Sequence, residues 1–261
     1  MGGGAGAGRG GAGGVGGSAA EPVGGSSGAS CPAGAILCDG FEAYAADAAP
    51  GGMWKPSVRG GGQIQVASAK AFAGTRALHV TGMVASDSAN IQRTLAITAQ
   101  TVFVRFMMYT TSYPSSSGVH TRLFRMGTMA GTDAGTPEQS YSLSSYNGTA
   151  IEKVNSIYMR NTSTHFNDDS LKNRWVCWEL EIDKTGGVGK VTPHIWVDGR
   201  ELAFASAGSS SHGMTSWSWD PIPIETVVLG LFGYQADSVR ADFWIDELTI
   251  NSTRIGCPKA N

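Results

Sequence analysis

Ten stretches of this chain alternate apolar and polar residues with a period of two, and little in it repeats at the 3.6-residue spacing of a helix. QIQVAS (63–68), RALHVTG (76–82), TVFVRFMMYTT (101–111), HTRLFRMG (120–127), YSLSSY (141–146), SIYMRN (156–161), WVCWELEID (175–183), VTPHIWVDG (191–199), TVVLGLFGY (226–234) and FWIDELTI (243–250) read as strands, since successive side chains of a strand point to opposite faces and β-branched and aromatic residues suit a pleated surface. Turn signals separate them: DKTGGVGK (183–190) marks a hairpin and DGRE (198–201) ends its second strand. Strands in this number, without interleaved helices, can cover their apolar faces only against one another. The expected fold is therefore all-β, a β-sandwich jelly roll of two packed antiparallel sheets. No internal repeat is visible, which argues against a propeller.

The chain has 261 residues, but the first thirty contain 14 glycines and only two charged side chains, Arg9 and Glu21. Such a segment cannot bury enough apolar surface to offset its conformational entropy, so residues 1–30 are expected to be a disordered tether and 31–261 a single domain. Net charge is −2 with acids and bases interspersed. No Lys/Arg-rich run points to nucleic acid, and no apolar run is long enough to span a membrane. Met1 leads directly into glycines rather than a signal peptide; an export signal with a lipid-attachment cysteine upstream would explain the tether, so an extracellular, surface-tethered monomer is expected. Four cysteines allow three pairings. A local Cys31–Cys38 bridge with a long-range Cys177–Cys257 bridge is the expectation, four free thiols in a cytosolic protein being the alternative.

Parity sorts the strand faces. In 175–183, Trp178, Leu180 and Ile182 form an apolar side and Cys177, Glu179 and Glu181 a polar one. In 120–127, His120, Arg122, Phe124 and Met126 share a face, as do Ser156, Tyr158 and Arg160 in 156–161. A basic and aromatic lining of that kind suits carbohydrate. In 243–250, Trp244, Asp246, Leu248 and Ile250 share a face, which puts an acid in an apolar row. A buried carboxylate needs protonation, a cation or a metal.

CDGFEAY, AFAGTRALHV, TVFVRFMMYTT, WVCWELEID, PHIWVDG and FWIDELTINSTRIGC together resemble the secreted jelly-roll family of fungal cellulose-induced proteins, which are similar to glucuronan lyases. The resemblance runs over roughly residues 38–257, is specific at both ends and fades over 127–170. It implies a concanavalin- or lyase-like sandwich in which a structural Ca²⁺ ties the first strand to the last. Glu42 and Asp246 would supply carboxylates to the ion, and backbone carbonyls near Ala73 and Arg76 would complete an oxygen shell of the type Ca²⁺ takes. Pairing of Asp246 with an arginine such as Arg76 or Arg240 is the alternative. The resemblance also supports the Cys177–Cys257 bridge, and leaves Cys31–Cys38 resting on proximity.

Glucuronan lyases cleave by β-elimination, which requires a group to neutralise the uronate carboxylate, a base for the C5 proton and an acid for the leaving oxygen. The candidates are His120, Arg122, Tyr141, Tyr158 and Arg160, with His194 a further possibility. The implied partner is a uronic-acid-containing polysaccharide. A non-catalytic carbohydrate-binding domain and a surface adhesion domain remain alternatives. A hydrolase using Glu179 and Glu181 is disfavoured, because both carboxylates come from one strand and do not flank a bond.

Overall fold

A computed structural model describes Met1 and residues 31–82, 87–114, 116, 118–128, 139–146, 148–153, 157–204, 220–235 and 237–258, with side chains at 153 and 157–160 excluded. The expected tether lies outside the described residues. Among the described residues there is no helix. These residues form fifteen strands: β1 (Leu37–Asp39), β2 (Lys55–Arg59), β3 (Gln63–Ala67), β4 (Ala77–Gly82), β5 (Ser88–Ile97), β6 (Thr101–Ser112), β7 (His120–Thr128), β8 (Gln139–Tyr146), β9 (Thr149–Lys153), β10 (Ile157–Asn161), β11 (Trp175–Asp183), β12 (Thr192–Val197), β13 (Arg200–Glu201), β14 (Ile224–Gly233) and β15 (Ala241–Asn251).

They form two sheets. Sheet A runs β13-β12-β11-β6-β15-β4-β3 with β1 added on β15, and sheet B runs β10-β9-β8-β7-β14-β5-β2. Neighbours in both are antiparallel. One apolar core lies between the inner faces, drawn from Val102, Val104, Phe106, Met108, Trp178, Leu180 and Ile182 of sheet A and Phe124, Met126, Tyr141, Leu143, Ile151 and Leu229 of sheet B. The two-sheet sandwich anticipated from the alternation is the architecture found.

Two bulges shift which residues face that core. In β15, register against β6 slips between Asp246 and Thr249, and Glu247 adopts a left-handed backbone conformation at φ 54°. One extra residue there reverses the alternation. Phe243 and Ile245 face the core before it, Leu248 and Ile250 after it, while Trp244 and Asp246 lie on the outer face. The single apolar row containing Asp246 is therefore corrected: the acid does not sit between core residues. In β7, register against β8 slips between Arg122 and Phe124. His120 and Arg122 consequently keep the outer face and Phe124 and Met126 turn into the core, so the four do not share one face.

The β15 bulge also divides that strand's second edge. Residues 241–245 pair with β4 and residues 248–250 with β1. Asp246 stands where one neighbour ends and the other begins.

Both expected disulfides are present, Cys31–Cys38 and Cys177–Cys257. The second closes 80 residues and pins the segment after β15 onto the outer face of β11. There Glu179 accepts hydrogen bonds from Arg254 Nε at 3.0 Å, Ile255 N at 3.0 Å and Gly256 N at 2.7 Å. Replacing Cys257 with serine is expected to cost about 4.5 kcal/mol through the entropy of the unfolded chain. Urea unfolding of parent and variant measures it; a loss below about 1 kcal/mol means the Glu179 contacts alone hold the segment.

Candidate functional site

The outer face of sheet B concentrates polar side chains that are unusually deep. On β7, Arg122 is 2% and Arg125 6% exposed; on the neighbouring strands Ser142, Ser144 and Glu152 are each 1% or less. Charged groups are rarely this buried unless paired. Register explains who meets whom. Ser142 of β8 lies between Arg125 of β7 and Glu152 of β9, and Ser144 lies between Arg122 and Ala150. The small serines leave room for long side chains from flanking strands to meet above them.

Glu152 joins two basic groups of β7. Its Oε2 accepts from Arg122 Nε at 2.9 Å, and its Oε1 pairs with His120 Nε2. Burial pushes the Glu152 carboxyl up, but the His120 hydrogen bond and the Arg122 and His120 charges outweigh it and hold the group below its ordinary value. His120 stacks on Tyr234, with ring centroids 4.7 Å apart, and meets Tyr146 edge-on at 5.5 Å. The Arg122 guanidinium carbon lies 4.8 Å from the centre of the Tyr234 ring. The backbone fixes this cluster: Tyr234 N donates to His120 O at 3.0 Å, and His120 N donates to the Gln235 side chain at 2.8 Å. His120, with 17% of its side chain exposed, and the half-buried Tyr146 and Tyr234 form the accessible margin of an otherwise closed ion-pair network.

Of the residues singled out by sequence, His120 and Arg122 are thus brought together. Tyr141 is not: it lies on the opposite face of β8, in the core, accepting from Ile222 N at 2.8 Å and donating to Asp220 O at 3.4 Å, with burial pushing its phenol up to about 12. On β10, Tyr158 is the register partner of Glu152 and Arg160 of Ala150; their side chains lie outside the described residues. His194 is on sheet A, bonded to Glu201 at 2.6 Å. Glu152, Tyr146 and Tyr234 were not selected by sequence. Tyr234 closes a strand-like stretch and was visible as such, whereas TAIEK (149–153) is too short and irregular to announce Glu152.

The four residues proposed as calcium ligands meet at one corner of sheet A. Glu42 Oε1 accepts from Thr75 N and Arg76 N, both at 2.7 Å, and Oε2 from Thr75 Oγ1 at 2.9 Å. Asp246 Oδ2 accepts from Phe72 N at 2.8 Å and Ala73 N at 3.1 Å, and Oδ1 from Glu247 N at 2.7 Å. Arg76 donates its guanidinium not to either carboxylate but to the backbone oxygens of Glu42, at 2.9 Å, and Tyr44. Gly74, at φ 67°, lets the loop come this close, since a Cβ there would stand 2.4 Å from Glu42 Oε1. Burial pushes Asp246 up to about 7 in spite of its three N–H donors. Two carboxylates from opposite ends of the chain face one loop, and each of their oxygens already accepts a hydrogen bond, which an oxygen-seeking cation such as Ca²⁺ would have to share or displace. Among the described residues no three His, Cys, Asp or Glu side chains gather as a metal cluster, so a shell here needs loop carbonyls as well.

No family model matches the chain, and no curated protein matches it. Solved structures do. A cellulose-induced protein, Cip1, superposes with a TM-score of 0.56 at 16% identity, covering 85% of this chain and all of that one. The endo-β-1,4-glucuronan lyase of the fungus Trichoderma reesei gives 0.52 at 14% identity, covering 81% of this chain and 95% of that one. At such identities the likeness establishes a shared jelly-roll sandwich.

Glu152→Ala removes the carboxylate that pairs with both Arg122 and His120 in a buried site, so it is expected to lose about 3–5 kcal/mol in urea unfolding. Because its folded pKa is lowered, the ionised group stabilises above about pH 4.5, and this contribution is lost as pH falls through the folded value. Glu152→Gln should flatten the acid limb of the stability–pH curve, and an unchanged limb would place the acid sensitivity elsewhere.

Proposed function

We propose that the outer face of sheet B binds a uronic-acid-containing polysaccharide and cleaves it by β-elimination. The observation that supports this best is Glu152 holding His120 and Arg122 together beside two tyrosines, on a face that is otherwise deeply polar. Elimination needs the C5 proton of a uronate made acidic, removed, and the leaving oxygen protonated. Arg122, a planar cation suited to an oxygen pair, neutralises the uronate carboxylate by exchanging its buried pairing with Glu152 for the substrate. His120 takes the C5 proton, and the electrons of the C5–H bond form the C4–C5 double bond as the bond from C4 to the leaving oxygen breaks. Glu152 offsets the positive charge that His120 acquires. Tyr234, stacked on His120, gives its phenolic proton to the leaving oxygen. Tyr158 and Arg160 enter the proposal as further candidates, since their backbone positions on β10 are register partners of Glu152 and Ala150.

A second reading, glycan binding without cleavage, draws on the same network: Arg122 and His120 are both already engaged by Glu152, which favours a rigid recognition surface. Two disulfides suit an oxidising compartment, and among the described residues no helix is long and apolar enough to cross a membrane. The disulfides support an extracellular setting for either reading.

Calcium belongs to this proposal as a structural ion. Glu42 and Asp246, with the carbonyls of Ala73 and Arg76, would hold it, and its charge would keep Asp246 ionised.

Two measurements test these assignments. Incubation with glucuronan should raise absorbance near 235 nm as the unsaturated product forms, and His120→Ala or Arg122→Ala should slow it by about a hundredfold or more. Binding without absorbance from the parent protein selects the second reading. EDTA should lower the melting temperature and added Ca²⁺ restore it, with Asp246→Asn abolishing the response; an indifferent melting temperature removes the ion.

A further inference from the structure

The outer face of sheet A carries a feature that the sheet B site does not use. His79, Trp244, Tyr109 and Trp175 are register partners across four neighbouring strands, β4, β15, β6 and β11. Their rings run in contact: His79 stacks on Trp244 at 4.0 Å, Tyr109 meets Trp244 edge-on at 6.0 Å, and Trp175 meets Tyr109 edge-on at 5.7 Å. Phe72, from the loop before β4, meets the Trp175 ring edge-on at 5.9 Å. Three inter-strand spacings make the row about 15 Å long from His79 to Trp175, with one ring on each strand.

Outward positions on a sandwich normally carry polar side chains. Here His79, Tyr109, Trp175 and Phe72 are half-buried and present parts of their rings to solvent. Lys70 places its ammonium 4.4 Å from the centre of Tyr109 and 5.2 Å from that of Trp244. His79 is braced by Asp242 at 2.7 Å, and Asp242 in turn by Thr111 Oγ1 at 2.6 Å. The Trp244 indole N–H finds no acceptor among the described residues.

We infer that this row is a second binding surface, for an extended acidic polysaccharide strand lying across the sheet. Trp244 is buried, with His79 stacked on it, so the half-buried rings of Tyr109, Trp175 and Phe72 supply the apolar contacts for successive sugar rings. Lys70 supplies the charge complement to carboxylates along the strand, exchanging its contact with Tyr109 and Trp244 for an anion. The surface is independent of the elimination chemistry and lies on the opposite sheet, so it would hold polymer while sheet B acts on it, and would do so even if sheet B only binds.

The test titrates glucuronan polymer, with neutral hydroxyethyl cellulose as the uncharged comparison, against the full chain and against Trp175→Ala, Phe72→Ala and Lys70→Glu. Trp175→Ala and Lys70→Glu should weaken glucuronan binding about tenfold, the worth of a lost ring or cation contact, with Lys70→Glu leaving the neutral polymer unaffected. Elimination from short oligouronates should be unchanged in both. His120→Ala should show the opposite pattern, retaining polymer binding and losing product, so failure of the row and failure of the sheet B site give different results. Should Trp175→Ala not fold, Phe72→Ala and Lys70→Glu decide. Parental affinity in those variants, or a row that retains a protein and not the polysaccharide, overturns the inference.

Discussion

The domain depends on one extra residue in its last strand. Without the bulge at Glu247, β15 would carry Asp246 in step with the core and could keep only one neighbour along its second edge. With it, the strand presents Phe243 and Ile245, then Leu248 and Ile250, to the same core and hands its edge from β4 to β1. A left-handed conformation at a non-glycine residue costs roughly 1 kcal/mol or more. It is held by the pairing on both sides and by the hydrogen bond that Asp246 accepts from Glu247 N. Asp246 then collects the amides of the 72–73 segment while Glu42 collects those of 75–76. One loop is thereby gripped by carboxylates from both ends of the chain.

A comparable device shapes the other sheet. The bulge after Arg122 lets β7 contribute Phe124 and Met126 to the core while His120, Arg122 and Arg125 stay outside. In a regular strand Arg125, three residues after Arg122, would fall on the opposite face. The serines of β8 leave space above them, and Glu152 from β9 reaches across to both His120 and Arg122. Chemistry and packing are thus separated on a single strand by a one-residue irregularity, with the core side rigid and the polar side set by ion pairing.

These irregularities also mark what the sequence could not disclose. Alternation revealed the long strands and the two-sheet fold, because hydrophobic period is a local property. It could not reveal β2, whose five residues are all exposed, or β5, whose SANIQRTLAI lacks a clean alternation. Nor could it locate a bulge, which is defined by the partner strand, and so parity counted through residues 123 and 247 assigned Phe124 and Asp246 to the wrong faces. Tyr141 misled in a simpler way: a tyrosine in a strand has the same spelling whether its ring lies in the core or outside. Glu152 was hidden because its importance comes from two residues thirty positions earlier, which only the β7–β8–β9 meander brings near.

The place of β15 in sheet A has a consequence for how the molecule comes into being. The strand ends at Asn251, yet it is flanked by β6, β4 and β1, so the centre of the sheet is the last strand to be synthesised. Everything made earlier must wait, with the inner surfaces of β4 and β6 unjoined, until residues 241–251 clear the ribosome. Such sequence-distant pairing folds slowly and leaves sticky edges open in the interval. A nascent chain of this kind keeps sheet A open until β15 has been made. Removing residues 241–251 would take away the keystone and leave β6 with nothing to join it to β4 and β1.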